Sequence, residues 1–359
     1  MAPFYSSKSG CSESPNAASA MVGMLTPIWE SLLHQSSIAI DDDFFKLGGT
    51  QRTADLLFAD IARKSGRELP SATIFHAPTI AALAAVLEQP TLPRFSPYVQ
   101  LKAGTGKLPI LIAHGLNGCA SFSGLAESIP TEHPIYGIQA RGVDGLEEPF
   151  DCIEDMAQFY IDALSEVHSQ GPYILIGYSF GGLVALEMAH RLTGNQKQVG
   201  LLILVDAYPH PRYLSAAQRV RLGVQRVGRH ISEMKQRPIR GAISYFMSGL
   251  KNRLRIAGVH RDELPPETSR LALARTTLHV KDRAYEAMAR YRPRAYKGAI
   301  KFVKSESDTY FPGDPIPVWA HLADTFEVVT IPGTHLNIVT TNFESLAAVL
   351  KRYLGEALR

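Results

Sequence analysis

The sequence of 359 residues is poor in cysteine and tryptophan, nearly balanced in charge, and without a long apolar run. Cys11, Cys119 and Cys152 are widely spaced and form no CxxC pair. That excludes a disulfide framework or a cysteine zinc site and fits a reduced, cytoplasmic protein with no metal. No apolar stretch approaches the ~18 residues of a membrane span, so no membrane partner is expected. The opening "MAPFYSSKSGCSESPNAASA" lacks the apolar centre of a signal peptide, and residues 1–20 read as a disordered, Ser-rich leader. A net charge of +3 is too small for a nucleic-acid footprint, and no nucleic-acid module is visible.

What is present divides into two patterns. From Thr26 the apolar letters Ile28, Trp29, Leu32 and Leu33 recur on one helical face, with Pro27 suited to a first turn. "IDDDFFKLGG" forms a loop, "TQRTADLLFADIARKSG" a second helix ending on Gly66, and "APTIAALAAVLEQP" a further helix with Thr79 as N-cap. Residues 21–89 therefore predict a small all-α bundle. The prolines of "QPTLPRFSP" mark a stiff linker over 90–108.

Beyond it the period changes. "PILIAHG", "IYGIQA", "YILIGYS", "LLILVDA", "AIKFVKS" and "FEVVTIPG" are short apolar runs, mostly separated by helix-length segments. Such alternation predicts a mostly parallel sheet covered on both faces, an α/β domain over 109–359. Between Asp206 and about Arg292 no strand is evident, and the stretch 208–290 reads as a helical lid inserted at the sheet edge.

"ILIGYSFGGLVALEMAH" places Ser179 between an apolar strand and a helix, flanked by Gly177, Gly181 and Gly182. This is the context of a nucleophile elbow, where glycines allow strand and helix to approach and the serine hydroxyl stands clear. A serine hydroxyl is barely nucleophilic at neutral pH and needs a base, itself oriented by a third group. In this fold the chain order is serine, acid, histidine. His335, in the Pro-Gly turn of "TIPGTHLNIV", follows the last strand and is the candidate base. Two acids suit the order: Asp206, closing "LLILVDA", and Asp308, in "KSESDTYF". A carboxylate that ends an apolar strand is costly without a buried partner, which favours Asp206. The backbone N–H of Phe180 and one in "IAHGLNG", at Leu116, are expected to form the oxyanion hole. His114 in that loop reads as structural.

These motifs resemble the thioesterase domain that ends nonribosomal peptide synthetases. "HGLNG", "PIYGIQARGVDG", "GYSFGG", "VDAYP" and "PGTHLNIV" fall in that family's order over 109–345. The 27 residues from Ser179 to Asp206 match the family, supporting Asp206 over Asp308. The resemblance implies an α/β-hydrolase fold and transfer of an acyl or peptidyl group from a phosphopantetheine thiol to Ser179, then release by water or an internal nucleophile. "IWESLL", "DDDFFKLGG" and "LPSATIFHAPTIAALA" are similar to a four-helix carrier-protein domain of the same synthetases, which implies upstream synthetase domains or carriers as partners. One position departs from that family. The residue expected to carry 4'-phosphopantetheine, two after the second glycine of "LGG", is Gln51. An amide cannot hold the phosphodiester, so no arm is expected on this chain. An introduced Ser-to-Gln change and a natural loss of the loading site, with a docking role kept, are both compatible with this.

Residues 212–261 hold twelve Lys or Arg against the single acid Glu233, while 25–89 carry net charge −3. The basic lid is either a solvated helix face or an attractant for the acidic bundle. Leu222, Val224, Ile243, Tyr245 and Phe246 are candidates to line an acyl channel or to pack the lid. A stand-alone esterase with the same triad, and a bundle that only docks other carriers, are the competing functions.

Overall fold

The computed structural model describes residues 15–71, 73–89, 96–116, 118–143, 147–168, 170–220, 222–224, 269–307 and 314–358. Contacts divide the chain into two compact units, residues 1–95 and 96–359.

The first unit is helical: α1 (Pro15–Leu33), α2 (Gln51–Ser65), α3 (Thr73–His76) and α4 (Ile80–Glu88). α1 begins earlier than its sequence period suggests, so part of the expected leader is helical and Pro27 lies inside the helix rather than in its first turn. The Ala, Met and Leu of "AASAMVGML" are strong helix formers and carry the helix through the proline. Pro27 has no N–H to give, and the neighbouring Thr26 hydroxyl donates to the Val22 carbonyl at 2.9 Å. Leu25, Trp29, Phe44, Leu57, Ile61, Ile80 and Leu83 form a buried core. The ring edge of Phe44 meets Trp29 at 5.1 Å, and Phe45 stacks on Phe75 at 5.0 Å. In the acidic loop, Asp42 accepts from the Ala39 N–H and Asp43 from the Phe45 N–H, both at 2.8 Å, so these carboxylates hold the turn.

The second unit is built on a seven-stranded sheet. Its strands are β1 (Tyr98–Lys102), β2 (Ile110–Ala113), β3 (Ile135–Ile138), β4 (Tyr173–Tyr178), β5 (Val199–Val205), β6 (Tyr296–Ser305) and β7 (Ala323–Ile331). Their order is β1-β3-β2-β4-β5-β6-β7, and only β1 runs antiparallel. The expected linker 90–108 therefore contains a strand. "YVQLK" is a short edge strand, buried only at its first two residues, and a run so brief after prolines does not stand out in sequence. Helices described in this unit include α5 (Ser123–Ser128), α6 (Ile153–Asp162), α7 (Phe180–Gly194), α8 (Ser269–Arg290), α9 (Ile316–Trp319) and α10 (Glu344–Ala357). β4 is buried along its whole length, as a central parallel strand covered on both faces must be.

β2 is flanked by β3 on one side and β4 on the other, so the connections leaving β2 and β4 diverge at the carboxyl ends of the strands. Such a switch point opens a crevice where open α/β sheets bind ligands. Ser179 follows β4, Leu116 follows β2, Asp206 follows β5 and His335 follows β7, all at that end. Within 208–290 the described residues contain no strand and include α8. Ile243, Tyr245, Phe246 and most of the basic stretch lie outside the described residues. Among the described residues no helix is long and apolar enough to cross a membrane.

Candidate active site

Ser179 sits between β4 and α7 with φ 54° and ψ −122°, a backbone conformation that costs a non-glycine residue of order 1–3 kcal/mol. The surrounding structure imposes it. The Ser179 N–H donates to the Val205 carbonyl at 2.8 Å, tying the turn to β5. The turn closes only because its glycines lack Cβ atoms: one on Gly177 would lie 2.4 Å from the Gly182 Cα, and one on Gly182 2.2 Å from the Ala207 Cβ.

Folding brings three distant residues into line. His335 Nε2 lies 3.0 Å from the Ser179 Oγ, and His335 Nδ1 lies 3.4 Å from Asp206 Oδ2. A neutral imidazole with its proton on Nδ1 suits both contacts, accepting from serine and facing the carboxylate. Asp206 is buried, and its other oxygen, Oδ1, accepts the Ser305 N–H at 2.8 Å. Its own N–H donates to the Val303 carbonyl at 2.9 Å, and its φ of 44° turns the chain sharply out of β5. The carboxylate is thus fixed from both ends, and one oxygen remains for the imidazole. Asp308, the other candidate acid, lies outside the described residues.

The histidine loop is held by its own side chains: Asn337 Oδ1 accepts the Thr334 N–H at 2.6 Å, and the Asn342 amide reaches the Pro332 carbonyl at 3.4 Å. Tyr178 adds a clamp from across the site. Its hydroxyl donates to the His335 carbonyl at 2.5 Å, and its ring stacks on the imidazole at 4.8 Å with 19° between the planes. Sequence reasoning singled out neither Tyr178 nor Ser305. Tyr178 is the variable letter of the GxSxG motif, and Ser305 acts through its backbone, which leaves no mark in composition.

Phe180 is the first residue of α7, directly after Ser179. Leu116 lies in the turn after β2, which borders the serine: a Cβ on Gly115 would sit 3.6 Å from the Ser179 Cβ. His114 is buried, with Nδ1 2.5 Å from the Gly115 carbonyl and Nε2 3.5 Å from the Tyr160 hydroxyl. Burial lowers its pKa, the backbone contact opposing only in part, so the ring stays neutral and serves packing.

A mostly parallel sheet with a serine on the sharp turn after a central strand, and a histidine and an aspartate on later loops, defines an α/β hydrolase. The Thioesterase domain family matches residues 109–354, and the chain belongs to that family. The phosphopantetheine attachment site family matches residues 25–87, so a carrier-type domain precedes the thioesterase. A dimodular nonribosomal peptide synthase of Bacillus subtilis (strain 168) is 36% identical over 209 residues, which is 55% of this chain and 9% of that protein. A probable non-canonical nonribosomal peptide synthetase of Salinispora arenicola (strain CNS-205) is 32% identical over 260 residues, 71% of this chain and 3% of that protein. The matches thus span a small part of these relatives' length. Among solved structures, a holo four-domain nonribosomal peptide synthetase bound to AMP and glycine superposes with TM-score 0.55 at 21% identity, covering 98% of this chain and 27% of that one. A type II thioesterase of the yersiniabactin pathway gives TM-score 0.52 at 17% identity, covering 73% and 100%. At such identities the likeness establishes the fold.

The attachment family implies a phosphopantetheine tether. The position that the motif resemblance assigns to the arm is Gln51, the first residue of α2. A carboxamide offers no hydroxyl oxygen, so the residues present do not fit a covalently attached arm.

Proposed function

We propose that the second unit releases an acyl or peptidyl chain from a pantetheine thioester through an acyl-enzyme on Ser179. His335 Nε2 takes the Ser179 proton as Oγ attacks the thioester carbonyl. The oxyanion is met by the N–H groups of Phe180 and Leu116, each such donor contributing roughly 2.7–4 kcal/mol. The thiol leaves with the proton returned by His335, and the acyl group stays on Oγ. Water, or a nucleophile within the acyl chain, then gives its proton to His335 and attacks the ester carbonyl; the bond to Oγ breaks, His335 returns the proton to Ser179 Oγ, and acid or cyclic product leaves. Asp206 faces the imidazole and keeps its proton on Nδ1. Upstream synthetase domains or carriers supply the thioester. The free thiols Cys119 and Cys152 suit a cytoplasmic setting.

The observation that carries this reading is the 3.0 Å approach of His335 Nε2 to Ser179 Oγ on a strained turn. Intact-mass analysis after exposure to a fluorophosphonate and to a panel of acyl-pantetheine thioesters tests it. The wild type is expected to gain phosphonate and to release acid or lactone, and Ser179→Ala to do neither. Covalent mass persisting in Ser179→Ala removes the serine from the mechanism. Faster turnover of p-nitrophenyl esters than of thioesters makes the protein an esterase instead.

A further inference from the structure

The start of α2 is a tight glycine turn whose first helical residue, Gln51, has no hydroxyl. Gly48 takes φ 91°, and a Cβ on Gly49 would lie 2.3 Å from the Phe44 ring, so the turn is drawn tightly onto the core of the unit. Thr50 is the N-cap of α2, in extended conformation, and Gln51 is the first helical residue. With no hydroxyl at 51, the hydroxyls nearest to it in sequence belong to Thr50 and Thr53.

Both are committed to each other. The Thr53 N–H donates to Thr50 Oγ1 at 3.2 Å, and the Thr50 N–H donates to Thr53 Oγ1 at 2.6 Å, a reciprocal capping box. Thr53 Oγ1 spends its proton on the Thr50 carbonyl at 2.9 Å. Across the 3.1 Å contact between the two oxygens, Thr50 is therefore the donor. An attacking hydroxyl must present an oxygen lone pair to phosphorus and surrender its proton to a base. Using Thr50 or Thr53 would break the capping bonds that fasten the first turn of α2.

We infer that the helical unit carries no phosphopantetheine and that the acyl group reaches Ser179 on a pantetheine thiol borne elsewhere, outside residues 15–89. The bearer is a separately loaded carrier or coenzyme A; the recognised chemistry, an acyl group on pantetheine sulfur, is the same. The destination of the acyl group rests on the thioesterase reading above, whereas the loading state does not.

The full chain, incubated with coenzyme A and a promiscuous phosphopantetheinyl transferase, decides the first half by intact mass. In that reaction a hydroxyl oxygen attacks the β-phosphorus of coenzyme A, the pyrophosphate bond breaks, and adenosine 3',5'-bisphosphate leaves. The wild type is expected to keep its unmodified mass, and Gln51→Ser, with an unchanged melting curve, to gain one arm on most chains. A mass gain on the wild type, mapped to Thr50 or Thr53, would overturn the inference. So would a folded Gln51→Ser that stays unloaded, because then the missing hydroxyl is not what blocks loading. For the second half, the wild type is given octanoyl-coenzyme A and octanoyl-phosphopantetheinyl carrier, and Gln51→Ser is self-loaded with the same group. Repeated turnover of either soluble thioester by the wild type supports delivery from elsewhere, the higher kcat/KM naming the bearer. Release seen only from self-loaded Gln51→Ser refutes it. Loss of fluorophosphonate labelling at Ser179 would count against the thioesterase reading and leave the loading result standing.

Discussion

Tyr178, the residue before Ser179, holds His335 at two points: its ring lies on the imidazole at 4.8 Å and its hydroxyl donates to the His335 carbonyl at 2.5 Å. The residue that leads into the strained turn therefore also helps to set where His335 sits. His335 comes from a loop after β7, at the edge of the sheet, and this contact adds to the loop's own hydrogen bonds and to the Asp206 contact.

Tyr178→Phe keeps the stack and removes the hydroxyl. A lost neutral hydrogen bond of about 1 kcal/mol, placed on the base, is expected to slow Ser179 labelling by fluorophosphonate and kcat about five- to tenfold, with KM little changed. Tyr178→Leu, which also removes the stack, is expected to be slower still. Labelling rates equal to wild type in both variants would show that His335 is held in place without Tyr178.

Asp206→Asn separates orientation from folding. Its carbonyl oxygen can keep the Ser305 N–H, which leaves the amide NH2 pointing at His335 Nδ1. That forces the ring proton onto Nε2, where it faces the Ser179 hydroxyl and cannot accept from it. A fall in kcat of about 10³–10⁴-fold is expected with an almost unchanged melting temperature. A loss below tenfold would point to a different acid.

Glu187 predicts a stability effect away from the chemistry. Its carboxylate is fully buried on α7 and accepts from Arg191 at 3.1 Å, Arg294 at 3.0 Å and the Tyr291 hydroxyl at 3.2 Å, tying α7 to the segment that follows α8. Glu187→Ala leaves the Tyr291 hydroxyl without this partner and opens a cavity. A loss of about 2–4 kcal/mol in urea unfolding is expected. Arg294→Ala, at a largely exposed partner, is expected to cost no more than about 1 kcal/mol.

His76 makes the helical unit acid-sensitive. Burial lowers its pKa from 6.5 to about 4, so the folded unit resists a proton that the unfolded chain accepts. Stability is full above pH 6.5 and declines as pH falls toward about 4, by on the order of 3 kcal/mol in all. Trp29 and Trp319 are the only tryptophans, so a Trp319→Phe background leaves Trp29 fluorescence to report this unit. His76→Gln is expected to flatten the decline between those pH values, and an equally steep decline in the variant would assign it elsewhere.

Legibility in the sequence followed the range of the cause. The parallel strands β2 and β4, buried along their whole length, and β5, buried over its last five residues, stand out as apolar blocks, whereas β1 gains its identity only by pairing with β3. Pro27 misled because a local rule for helix starts met a helix already propagated from Pro15. Ser179 was visible through its glycines, which answer a steric demand within a few residues. Asp206 and His335 could be proposed from chain order, but their approach to Ser179 depends on residues such as Ser305 and Val303 that no local pattern connects to them.

The amino-acid order by itself determined the two kinds of unit, the glycine-lined turn at Ser179 and the absence of a hydroxyl at Gln51, because period, backbone sterics and functional-group identity are local properties. Tertiary structure alone decided which carboxylate oxygen is left for His335, that Tyr178 clamps the base, and that Thr50 and Thr53 close upon each other. Those outcomes turn on distances of a few ångströms, set by packing between segments far apart in the chain or by the cap geometry of a folded helix.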